Sequence, residues 1–172
     1  MAPKADSNSA RKKLVRLPTD PGTYALILRS HASFEQSVGA LGTVTVHPGF
    51  YIYVGSALGP GGIRSRVCRH LRASKKLHWH IDYLRQKLSM VAVWYAKTVS
   101  VHEHRWANTM CGWSLVVIAV PGFGASDCQC ESHLFFCRTA PSLAGFRNRL
   151  EARGGQAELP CIRSVSATDL NY

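Results

Sequence analysis

Residues 49–71, GFYIYVGSALGPGGIRSRVCRHL, decide how this chain folds. Phe50, Ile52 and Val54 alternate with Tyr51, Tyr53 and Gly55, and a strand's period of two puts both tyrosines on the face opposite the aliphatics. One face packs; the other presents phenols. Gly59, Pro60, Gly61 and Gly62 end the strand in a sharp turn. Ile63, Val67 and Leu71 then recur at helical spacing, so a helix is predicted from about Gly62 to Leu71. At about 100° per residue, Arg66 and His70 fall along one edge of its apolar stripe. Strand, turn and helix therefore bring phenols, a guanidinium and an imidazole side by side.

Upstream, Pro18, Pro21 and Gly22 mark the start of the fold, and TYALILR from Thr23 reads as a first strand. LGTVTV gives a second strand, Pro48 and Gly49 turn it, and the short link predicts an antiparallel meander of the first three strands. Downstream, Leu77, Ile81, Leu84 and Leu88 space a second helix, with His78 and His80 on opposite flanks of its stripe. MVAVWYA is a buried strand by its β-branched and aromatic content. Val101 to Cys111 forms a third helix, LVVIAV a short strand, LFFC an edge strand and Ser142 to Leu150 a last basic helix. Positions 1–17 read as a disordered basic arm, 18–150 as one domain and 151–172 as a disordered tail. The fold class is α/β, a central, mainly antiparallel sheet flanked by helices.

The 172 residues include 21 Lys and Arg against ten Asp and Glu, a formal net charge of +11. That excess favours a polyanionic partner, nucleic acid and most plausibly DNA, because each phosphate contact releases counterions. The basic segments lack a broad apolar face with aromatic anchors, so a membrane surface is the weaker reading. No run approaches the roughly 20 apolar residues that span a bilayer. The polar start MAPKADSNSARKK has no apolar core segment, so a cytoplasmic location is expected, and the six cysteines read as free thiols or metal ligands.

The third helix holds the most informative single residue. Trp106, Ala107 and Met110 make its apolar face, and Glu103 falls in the middle of them. The bland account is a glutamate favoured by the helix dipole, or one that snorkels. The sharper one is a ligand for a hard divalent ion, since Mg²⁺ is commonly held by one carboxylate with waters and substrate oxygens. Asp82 is the next carboxylate to test; pairing with Arg85 or capping the second helix is its favoured role.

Gly22-Thr23-Tyr24, Tyr53-Val54-Gly55, Arg66 and Glu103, taken in that order, resemble the GIY-YIG nuclease superfamily. More narrowly, GALGTV, GFYIYVGSALGPGGI, LHWHIDYL and the late VPGFGASDC segment resemble its Uri subfamily, over about Pro21 to Leu143. The resemblance implies a small GIY-YIG-like domain and a metal-dependent endonuclease that hydrolyses DNA phosphodiester bonds by water attack. It implies that Tyr24 deprotonates or positions the water beside Tyr53, that Arg66 clamps the phosphate, and that Glu103 holds one Mg²⁺ or Mn²⁺. His70 stands where some relatives carry a catalytic histidine and is the alternative base. A tyrosine is a poor base near neutral pH unless a cation lowers its pKa, so Arg66 or metal-bound water is expected close to Tyr24. Gly55, Ser56, Arg64, Arg69 and His80 are expected to contact substrate. The alternative function is a nucleic-acid-binding module that keeps the fold without cutting.

Cys128, Cys130 and His133 form a C-x-C-x-x-H cluster that could supply three ligands of a tetrahedral Zn²⁺, with the fourth open between Cys111 and Cys137. Paired C-x₂-C arms are absent, so ordinary loop residues are the favoured reading and zinc the lesser one. A zinc-stabilised interaction protein is the third function to weigh. Trp79, Trp94, Trp106 and Trp113 are mostly core by pattern.

Overall fold

The computed structural model describes residues 16–72, 74–100, 102–153 and 160–170. Strand β1 (Gly22–Ser30) is buried along nearly its whole length, as its apolar run requires. It pairs antiparallel with β4 (Gly49–Ala57) on one side and β5 (Ser89–Lys97) on the other. With β6 (Val117–Ile118), β7 (Leu134–Cys137) and β8 (Arg163–Ser166), the order among the described residues is β6-β7-β4-β1-β5-β8, antiparallel throughout. The α/β class, with a mainly antiparallel central sheet between helices, is as the sequence indicates.

The alternation along β4 sorts the core into two layers. Tyr51 and Tyr53 pack with Tyr24, Leu26 and Leu28 against Ile63 and Val67 of α1 (Gly62–Leu71) and Ile81 and Leu84 of α2 (His80–Arg85). Ile52 and Val54 pack on the other face against Trp106 and Met110 of α3 (Glu103–Cys111) and Phe146 and Leu150 of α4 (Leu143–Ala152). Gly62 lets α1 begin tight against the preceding chain: its φ is +52°, and a Cβ there would overlap the carbonyl oxygens of Thr19 and Asp20. The amides of Ile63 and Arg64 donate to the carbonyls of Asp20 and Pro18 at 3.0 and 2.9 Å, which fixes the helix beside the start of β1.

Several sequence expectations are corrected. The first three strands do not form a meander: β3 (Thr43–Val46) pairs with β2 (Phe34–Ser37) in a separate two-stranded sheet, and β4 returns directly to β1. The four-residue strand β3 has only one buried face, and Val44 and Val46 spend it on the α1 and α2 layer. LFFC is interior, because Leu134 faces one layer and Phe135 the other, and β7 pairs with both β6 and β4. The second helix is shorter than its apolar spacing suggests; Leu77 is 37% exposed and the chain is extended at Trp79. Within the presumed tail, β8 pairs with β5, and Val165 and Leu170 are buried in the core. Residues 154–159 and 171–172 lie outside the described residues, as do 1–15 of the basic arm, whereas Leu17 is buried.

Candidate active site

A cavity of about 270 Å³ opens at the end of the sheet where β1 begins and β4 finishes. Tyr24, Tyr53, Gly55, Ser56, Arg66 and Glu103 all line it, so residues up to 79 positions apart in the chain share one concave surface. Each arrives from a different element. Tyr24 comes from β1 and lies opposite Gly55 of β4 in the ladder. A Cβ at Gly55 would sit 2.6 Å from Tyr24 Oη, which is why the position beside the phenol is glycine. Arg66 comes from α1, His80 from the start of α2, and Glu103 opens α3. Gly124, Ser126 and Asp127, in the loop before β7, complete the wall.

Behind Tyr24 stands His70. The two share a buried hydrogen bond, Tyr24 Oη to His70 Nε2 at 2.8 Å. His70 is 1% exposed and does not line this cavity, so its chemistry can reach a ligand bound there only through Tyr24. Burial lowers its pKa to about 3, so the imidazole is neutral and Nε2 can accept the phenolic proton. Its Nδ1 lies 3.9 Å from Asp82 Oδ1 and has no hydrogen-bond partner among the described residues. Arg66 lies close by, as expected, and pulls the Tyr24 pKa down, but it does not decide the net shift. Burial and the nearby Tyr53 hydroxyl raise it well above the ordinary value, outweighing the opposing pull of Arg66. Burial raises Tyr53 likewise.

Asp82 is a structural anchor. Its carboxylate meets Arg69 at 3.1 and 3.0 Å and Lys75 at 2.6 Å, and accepts the amides of His78 and Trp79 at 3.0 and 3.1 Å. Burial alone would raise its pKa, but these contacts hold it well below the usual carboxylate range. It is therefore not a substitute for Glu103. Arg69, expected to contact substrate, is engaged by this network and by the face of Trp79, 4.0 Å from the ring centroid, and does not line the cavity. Arg64 lies away from the cavity, in a separate concavity with Thr19 and Cys68. Trp79 is half-buried, lines the cavity and carries Arg66 on its ring at 4.7 Å, which orients the guanidinium without neutralising it. His78 and His80 both line the cavity instead of flanking a helix stripe, and His80 Nδ1 accepts the Gly124 amide at 3.0 Å.

Glu103 keeps its charge. Burial pulls its pKa up, but His133 and the Ser56 hydroxyl more than offset this and leave it below the ordinary value. His133 Nδ1 stands 2.8 Å from Glu103 Oε1 in a close charge contact. The Glu103 pairing outweighs burial, so His133 takes a proton more readily than usual. Beyond His133, His104, Cys128, Cys130 and His133 form a cluster whose ligand atoms all lie within 4.8 Å of one another, an arrangement that could hold a metal ion. The fourth member is His104, not Cys111 or Cys137. Cys137 is locked in β7 with its thiol toward the Phe50 carbonyl, and Cys111 is at the far end of α3. Sequence spacing missed His104 because the turn that brings α3 back to the loop is tertiary.

A small α/β fold with phenols, a guanidinium and a carboxylate gathered at one end of an antiparallel sheet defines a protein built around a polar site. The chain belongs to the family described as Domain of unknown function DUF123, whose profile matches residues 23–153, from β1 to the end of α4. No curated protein and no solved structure matches the chain. Among the described residues, no helix is long and apolar enough to cross a membrane.

Proposed function

We propose that this chain is a metal-dependent endonuclease acting on DNA, as its resemblance to the GIY-YIG superfamily implies. The observation that carries the reading is the convergence of Tyr24, Tyr53, Arg66 and Glu103 on one cavity. Tyr24 is too buried to ionise in advance, so it works as a relay. As its proton passes to the neutral His70, the phenolic oxygen accepts one from the attacking water. Asp82, 3.9 Å beyond, favours the imidazolium that results, against the opposing charges of Lys75 and Arg69. Arg66, held over Trp79 and open to the cavity, pairs with phosphate oxygens and offsets the charge that builds on them.

The residues also fit a hard cation. Glu103 is an anionic oxygen donor despite its burial, with Ser56 and Asp127 on the same cavity wall. These residues would hold one Mg²⁺ or Mn²⁺, which when bound supplies positive charge for the leaving oxygen.

The test incubates purified protein with duplex, branched and single-stranded DNA, with and without Mg²⁺ or Mn²⁺. Cleavage that needs the divalent ion is expected, and Arg66→Ala or Glu103→Ala should each slow it about 10²- to 10³-fold with the fold intact. Binding without cleavage on every substrate, unchanged by Arg66→Ala, would replace this reading with that of a non-cutting nucleic-acid module.

A further inference from the structure

We propose that His104, Cys128, Cys130 and His133 bind a structural Zn²⁺, and that His133 carries the ion's positioning effect to Glu103. The part concerning Glu103 rests on the nuclease reading; the zinc site itself does not.

The donor set selects the metal. Two thiolates and two imidazoles suit Zn²⁺, and their two negative charges match its two positive ones. With Zn–S near about 2.3 Å and Zn–N near about 2.0–2.1 Å, a tetrahedral site separates sulfur from nitrogen by roughly 3.6 Å. His104 Nδ1 to Cys130 Sγ is 3.3 Å and Cys128 Sγ to His133 Nε2 is 3.4 Å, so two edges of that tetrahedron are already close to length. The other separations stay within 4.8 Å, so the side chains draw together by about 1 Å to complete the tetrahedron.

The backbone around the cluster is arranged to hold it still. The Val54 amide donates to the His133 carbonyl at 3.0 Å, and the His133 amide to the Phe123 carbonyl at 2.7 Å. Ser132 Oγ donates to the Val120 carbonyl at 2.8 Å and accepts the Leu134 amide at 3.0 Å. His133 is 2% exposed, and its ring divides its two nitrogens: Nε2 faces Cys128 and Nδ1 faces the Glu103 carboxylate. A metal-ligating histidine typically donates its second N–H to a carboxylate; here Nδ1 and the carboxylate stand 2.8 Å apart as a charge contact without hydrogen-bond alignment, an alignment that the bound ion would set. The same loop supplies Gly124, Ser126 and Asp127 to the cavity wall. The ion would thus brace α3, the loop and Glu103 as one unit, at a place distinct from the oxygen donors facing the cavity.

The experiment reads metal, not DNA cleavage. Purified full-length protein under reducing conditions is reconstituted with Zn²⁺ and assayed by elemental analysis, then titrated with a chromogenic zinc chelator; a Co²⁺-substituted sample is examined for tetrahedral d–d and thiolate charge-transfer bands. Stoichiometric zinc and those bands are expected, retained in Cys161→Ser, whose thiol is exposed and outside the cluster, and lost in Cys128→Ser/Cys130→Ser. Glu103→Gln should keep the ligands but weaken zinc binding about 10- to 100-fold. Failure of the wild type to hold zinc, or cobalt bands lacking thiolate charge transfer, overturns the site. Zinc affinity unchanged in Glu103→Gln overturns the link to Glu103. Neither outcome depends on whether DNA is cut.

Discussion

Gly55→Ala tests the contact on which the proposed Tyr24 relay depends. A Cβ at position 55 would lie 2.6 Å from Tyr24 Oη, 2.7 Å from Cζ and 3.2 Å from Cε1. Carbon contacts settle near about 3.5–4.0 Å, so the phenol must retreat by roughly 1 Å. His70 leaves little room to retreat, being 1% exposed and only 2.8 Å from Tyr24 Oη. Overpacking of this kind costs about 1–3 kcal/mol, and losing the hydrogen bond adds about 0.5–1.5 kcal/mol. The two overlap, so a combined loss near about 2–3 kcal/mol is expected. In a Tyr24→Leu background the ring tip is absent, and the same alanine should become neutral or gain about 0.5–1 kcal/mol by stiffening the strand. Urea unfolding of the four proteins in this cycle measures the difference directly. A Gly55→Ala cost that is the same in both backgrounds would refute the close approach of phenol and strand. On the proposed nuclease function, single-turnover DNA cleavage in the wild-type background should also fall about 10²-fold, the usual result of a misplacement near 1 Å.

Stability should depend on pH through His70. Its unfolded imidazole takes up a proton near pH 6.5 and the folded one only near about 3, so the unfolded state binds more protons across that window. The contribution is therefore fully present above about 6.5 and lost as pH falls toward about 3, by an amount on the order of a few kcal/mol. His70→Gln should flatten the urea midpoint between about pH 6 and 4; an unchanged slope would place an ordinary, accessible histidine there. Asp82→Asn keeps an acceptor for the His78 and Trp79 amides but leaves Arg69 and Lys75 without their carboxylate. Breaking such a buried pair costs about 3–5 kcal/mol, and the partial exposure of Arg69 puts the expectation at the lower end of that range. A urea-derived loss under about 1 kcal/mol would show that Asp82 does not anchor α2.

What the sequence revealed follows from what is periodic. The alternation in Phe50 to Gly55 and the four-residue spacing from Ile63 to Leu71 fixed a strand, a helix and the faces they bury, because one face of each is apolar and the other is not. The path of the chain between strands was not legible in the same way. Phe34–Ser37 and Thr43–Val46 are too short and too exposed on one side to declare a partner, and β8 becomes a strand only because β5 offers it an open edge. Arg69 shows the same limit at the site. Its position on α1 suggested phosphate, but Asp82, thirteen residues away, occupies it, and only tertiary packing decides that.

The division of labour among the polar residues follows from where each meets solvent. Arg66 and Arg69 lie three positions apart on α1 and both stack on Trp79, yet one is bound to a buried carboxylate while the other opens into the cavity. The committed arginine holds Trp79 and Asp82 in place, and thereby the surface that aims its neighbour. Glu103 and His133 repeat the pattern on the opposite wall, a buried imidazole steadying a carboxylate that faces the cavity. On both sides the group exposed to a ligand is positioned by a partner that is not, so the geometry of the site is held before any ligand arrives.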